Sequence, residues 1–175
     1  MPVTEKFTPA GVPSVPAELA KSIEGAIQHP ERFQGIQIRM TIEGGQAEER
    51  YAFHFEASSE GLLISRMSCR LTGREARARS RTLSRAEFVD LLRHADIAKL
   101  VHVGRPLARV PPCSLLGRIE ITDGIQRVSF LFMADPGQAE QAGMEPPPEL
   151  ARLVDRIFEV SAKHMDVADT RSLRP

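Results

Sequence analysis

Seven arginines, Arg66, Arg70, Arg74, Arg77, Arg79, Arg81 and Arg85, fall in a stretch that holds a single acid, Glu75. A guanidinium is always charged and presents a planar fork of donors that matches carboxylate and phosphate oxygens. On extended backbone, Arg77, Arg79 and Arg81 project from one face about 6.5–7 Å apart. That repeat is close to the phosphate spacing of a nucleic-acid strand, so tracking a phosphate backbone is one reading. Binding an acidic patch of a protein is a second. The third is an edge strand armed with charge against aggregation, with Ala76, Ala78 and Ser80 turned inward so that a helix can approach. The stretch contains no aromatic residue on which a base could stack. The whole chain is neutral, with 23 basic and 23 acidic residues, which argues against a protein built to coat nucleic acid or membrane. Arg66, Arg70, Arg77, Arg79 and Arg81 are the candidate binding residues.

Other chemistry is sparse. The chain has no Walker loop, no dinucleotide glycine fingerprint, no H-E-x-x-H and no G-x-S-x-G. His29, His54, His94, His102 and His164 are scattered. His54 and Glu56 share one strand face and could be a pair of ligands or an acid/base pair, but a metal site needs more ligands than this, and a solvated, half-polar strand face is the favoured reading. Cys69 falls on an apolar strand face, where burial would raise its thiol pKa and quench reactivity. Cys113 follows Pro111-Pro112 in a loop, with no base beside it in sequence. No catalytic residue, metal ligand or cofactor is expected. An enzyme would need His54, Glu56, His94 and Cys113 to converge in three dimensions.

The elements that must carry these residues are legible in outline. Residues 1–15 hold Pro9, Gly11 and Pro13 and read as a flexible tail. A helix follows over about 16–28, with Leu19, Ile23, Ala26 and Ile27 on one face. Pro30 stops it, and Gly25 inside it costs about 1 kcal/mol relative to Ala. Ile36, Ile38, Met40 and Ile42 alternate with polar residues, as do Tyr51, Phe53 and Phe55, then Leu63, Met67, Cys69 and Leu71. The arginine segment over about 76–81 reads as a fourth, weaker strand. Ser84 with Glu87 forms a capping box, and Leu83 with Phe88 a hydrophobic staple, at the start of a helix with Leu91, Leu92 and Ala95 inward. Asp90 and His94 lie one turn apart toward solvent. Residues 104–112 form a stiff proline-rich loop. Asp123-Gly124 marks a hairpin between Ile119/Ile121 and Val128/Phe130/Phe132. A second long loop over 134–148 leads to a last helix over about 149–164, on which Glu159 and Lys163 make a surface pair. Residues 166–175 read as a polar tail.

A meander of antiparallel strands with segregated helices defines an α+β domain over 16–165, in the order helix, four strands, helix, hairpin, helix. The central and C-terminal helices are expected to cover one face of the sheet. Two cysteines are too few for a disulfide framework. The N-terminus lacks the pattern of a secretory signal, and no apolar run approaches the ~20 residues that cross a bilayer. A cytoplasmic protein with reduced thiols and no membrane partner is expected.

This order of elements resembles that of small bacterial secretion chaperones, which are dimers that hold extended segments of other proteins. The part from the meander to the C-terminal helix also resembles small protease inhibitors of the emfourin type. The chaperones are usually acidic, whereas this chain is neutral and carries an arginine stripe. The resemblance implies a protein that binds proteins, and it transfers no functional residue. The expected function is therefore a non-catalytic protein-binding or regulatory module, homodimeric, with partners among proteins. Binding of nucleic acid or an acidic partner by the arginine stripe, and a small enzyme with a dispersed site, are the alternatives.

Overall fold

The structure, a computed structural model, describes residues 16–99, 110–165 and 170–175. The expected N-terminal tail, most of the 104–112 loop and the start of the expected C-terminal tail lie outside the described residues. Alternation of apolar and polar side chains builds four consecutive strands: β1 (Gln37–Gly44), β2 (Tyr51–Ser58), β3 (Leu63–Cys69) and β4 (Arg74–Arg77). A hairpin adds β5 (Leu116–Thr122) and β6 (Arg127–Met133). All neighbours are antiparallel, and the sheet order is β4-β3-β2-β1-β5-β6. The hairpin thus returns to lie beside β1, and the four α-helices among the described residues complete an α+β fold.

Period-two alternation sends Ile38, Met40, Ile42, Phe53, Phe55, Leu63, Ile119 and Ile121 to one face, where each is buried. Helices α1 (Ala17–Gln28), α2 (Arg85–Lys99) and α4 (Pro148–Met165) contribute Leu19, Ile23, Leu91, Leu92, Leu153 and Ile157 to the same core. The Phe53 and Phe158 rings, 4.8 Å between centroids, join sheet to α4. The capping box is present. Ser84 N–H donates to Glu87 Oε2 at 3.2 Å, and Glu87 N–H donates to Ser84 Oγ at 3.3 Å. Gly25 has a packing reason as well as a propensity cost. A Cβ there would lie 2.2 Å from the Phe33 ring, so the ring lies across α1 where only glycine fits.

Several expectations need correction. The 134–148 segment holds a helix, α3 (Pro136–Ala142), capped by the Asp135 carboxylate on Gln138 N–H and ended by Gly143 in a left-handed conformation. The described part of the C-terminal tail is docked. Leu173 is fully buried, its carbonyl accepts the Tyr51 hydroxyl, and Arg174 lies 5.1 Å over the Phe158 ring while pairing with Asp155. Asp90 does not simply face solvent, since it accepts from Arg156 Nε at 2.5 Å and ties α2 to α4. Glu159 pairs with Arg156 and Lys163 with Glu87, so the expected Glu159–Lys163 pair is absent. Leu71 lies beyond β3 and is exposed, because the chain turns at residues 70–73 before the strand reaches it.

Candidate functional site

Helices cover one face of the sheet, and the same alternation sends the polar residues of every strand to the other. Cross-strand register arranges them in rows. In one row Glu56 on β2, Arg39 on β1 and Glu120 on β5 are direct neighbours. Arg39 lies 3.3 Å from Glu56 and 3.9 Å from Glu120, and Arg127 reaches Glu120 at 3.7 Å. These charges satisfy one another.

The adjacent row runs Arg77, Arg66, His54, Thr41 and Arg118, across β4, β3, β2, β1 and β5. Here no acid intervenes. Arg66 directly faces Arg77, and among the described residues neither they nor Arg118 makes an ion pair. Like charges directly opposed on one face cost stability. His54 belongs to the same field. Burial, and then the neighbouring Arg66 charge, hold its pKa below the ordinary histidine value, so it is neutral at pH 7. Its Nε2 lies 3.9 Å from Glu56 Oε2. Two shallow depressions open along the row. One of about 450 Å³ is lined by Arg39, Thr41, His54, Glu56, Arg118 and Glu120. The second, about 310 Å³, lies on the Arg66 and Arg77 side and is also lined by Glu43 and Glu75 from the next row. Leu116 and Leu131 lie half-exposed on the same face.

The sequence-derived arginine candidates separate. Arg66 and Arg77 belong to the row. Arg70 donates to the Ala47 carbonyl at 3.0 Å and steadies the β1–β2 connection. Arg79 and Arg81 lie past the end of β4, so Arg77, Arg79 and Arg81 do not form one strand face. Arg66 faces Arg77, yet Leu62 bridges to Thr82. Four steps on one chain oppose five on the other, which is a β-bulge and reverses the alternation. The bulge lets Arg79 N–H reach the His164 carbonyl at 3.0 Å, near the end of α4. Arg118, fifty-two positions along from Arg66, enters the row only because β5 pairs with β1.

The remaining candidates do not converge. His54 and Glu56 share the open face, whereas His94 is on α2, in the layer across the sheet, and Cys113 is exposed ahead of β5. Cys69 packs against the core as expected, but its thiol departs from the expectation. It is partly exposed, and hydrogen bonds from the Thr72 hydroxyl and backbone hold its thiol pKa below the ordinary value. No group of three metal-ligating side chains occurs among the described residues. Among them, no helix is long and apolar enough to cross a membrane. No protein-family model matches the chain, and no curated protein is similar to it.

Proposed function

We propose that this chain is a non-catalytic protein-binding module that receives an acidic segment of a partner on the open face of its sheet. The observation that carries this reading is a row whose arginines make no ion pair among the described residues: Arg66 facing Arg77, continued by neutral His54 and Thr41 to Arg118. A carboxylate ligand would offset the repulsion the fold retains there. Three inter-strand steps separate Arg66 from Arg118, about 14 Å. About four residues of extended peptide span that distance, so acids spaced four apart in a partner strand would meet both ends. Half-exposed Leu116 and Leu131 give such a segment apolar contact beside its charges. A cytoplasmic setting and self-association belong to the same proposal.

The test is fluorescence anisotropy with a labelled twelve-residue peptide carrying Asp or Glu at positions four apart, against its amide-substituted twin. The acidic peptide should bind and the twin should not. Arg66→Gln and Arg118→Gln should each weaken binding about tenfold, as expected for loss of one charge-assisted contact. No binding at 0.1 M salt, or binding indifferent to both substitutions, would refute the proposal. Duplex DNA or RNA that outcompetes the peptide, with affinity falling steeply with salt, would assign the row to phosphates instead.

A further inference from the structure

The two edges of the sheet are treated differently. The β4 edge has four residues and carries Arg74 and Arg77, charges of the kind that deter strand pairing. The β6 edge has seven residues, and after Arg127 it runs Val128, Ser129, Phe130, Leu131, Phe132, Met133 without a charge. Its hydrogen-bond phase follows from the hairpin. Ala134 N–H donates to the Leu115 carbonyl and Asp123 N–H to the Gln126 carbonyl, so even-numbered positions of β6 bond to β5. The amides and carbonyls of Arg127, Ser129, Leu131 and Met133 therefore turn away from β5, and of these residues Met133 alone is buried, at the end of the strand where α3 packs. On the helix-covered side Val128 and Phe132 are buried, and Phe130 between them is only half-buried. On the opposite side Leu131 is 42 % exposed.

We infer that β6 pairs antiparallel with β6 of a second copy of this chain, about a two-fold axis through Phe130, to form one continuous twelve-stranded sheet. In this register Arg127 faces Met133 of the other copy and Ser129 faces its Leu131, with about eight new backbone hydrogen bonds. Phe130 faces its own counterpart at a non-hydrogen-bonded position, where side chains approach closest. No like charges meet. The same uncharged strand supplies both sides, which favours a second copy over an unrelated peptide. The axis is perpendicular to the sheet, so both helix layers stay on one side and both arginine rows on the other. This names the interface for the self-association proposed above and is independent of the arginine row.

Light scattering over 1–500 µM should show mass rising from the 19.4 kDa chain to about twice that value. Ser129→Pro removes an outward amide without touching the β5 pairing, and Leu131→Lys adds a charge to the exposed side. Each should remain monomeric at all concentrations, with an unchanged circular-dichroism spectrum. Phe130→Cys, with Cys69 and Cys113 replaced by Ser, should oxidise to a disulfide-linked dimer, because facing positions of this kind lie within disulfide reach. A mass of 19.4 kDa throughout would overturn both self-association and this interface. A dimer that survives both edge substitutions and fails to cross-link at position 130 would overturn the interface alone. Peptide anisotropy on Ser129→Pro reads the arginine row separately in either case, since Leu131 borders that row at Arg118 and Ser129 does not.

Discussion

Replacing Glu87 by Gln separates two duties of one side chain. Glu87 closes the capping box with Ser84, a duty Gln also performs. Its carboxylate in addition accepts Lys163 Nζ at 2.5 Å and lies 3.2 Å from His164 Nε2, tying the start of α2 to the end of α4. Burial raises its pKa, but the hydrogen bonds from Lys163, Ser84 and His164 outweigh burial and hold it at about 2. Against an ordinary 4.5, that corresponds to at most about 3.4 kcal/mol of stability at neutral pH. Glu87 is 16 % exposed, but Lys163 is 69 % exposed. The lysine contact therefore contributes only about 0–1 kcal/mol, and the loss in Glu87→Gln should be about 1.5–3 kcal/mol.

The pH dependence has a definite sign. The folded-state pKa is depressed, so the stabilisation is fully present above pH 4.5 and is lost as pH falls through 4.5 toward 2. Urea melts of the two proteins should therefore differ at pH 7 and pH 5. The gap should close by about 1–2 kcal/mol on reaching pH 3, while other carboxylates cancel in the comparison. Equal midpoints at pH 7, or a gap that persists unchanged at pH 3, would show that the Glu87 carboxylate does not lock α2 to α4.

Two further outcomes follow from packing and titration. Gly117→Ala places a Cβ 2.2 Å from the Phe132 ring, itself buried, and should destabilise the hairpin by about 1–3 kcal/mol in chemical denaturation. His54 has a depressed pKa through burial and Arg66, so the unfolded chain takes up this proton first and stability should fall as pH drops below about 6.5. His54→Gln should lose less stability than wild type between pH 7 and pH 5, read from urea midpoints.

The elements were legible where a short-range pattern decides them. Alternation along β1, β2 and β5 assigned the faces, because a side-chain period of two leaves one outcome once half the residues are apolar. Ser84 and Glu87 announced α2 because both halves of the cap lie three residues apart. Lys163 and His164, the other partners of Glu87, lie far along the chain, and nothing local to Glu87 points to them. Helix α3 had its own signals, Asp135-Pro136 at the start and Gly143 at the end, but the following prolines made the whole segment resemble a loop. The arginine stripe failed for a different reason. A strand face extrapolates only while the alternation is unbroken, and the bulge between Arg77 and Thr82 adds one residue to the count.

The open face shows why the arginine run alone did not define a site. Of its five arginines, Arg39 and Arg127 are matched by Glu56 and Glu120, and strand register makes the match. Arg66 and Arg77 are left over because the β2-β3-β4 register sets them opposite His54 and each other, and Arg118 because β5 pairs with β1 and sets it opposite Thr41. A shift of β5 by two residues along β1 would place Glu120 opposite Thr41, in the row of His54 and Arg66, and the row would be partly neutralised. The positive row is thus a property of topology and register together. A sequence search for clustered arginines finds Arg79 and Arg81, which lie past the end of β4, and misses Arg118, which completes the row.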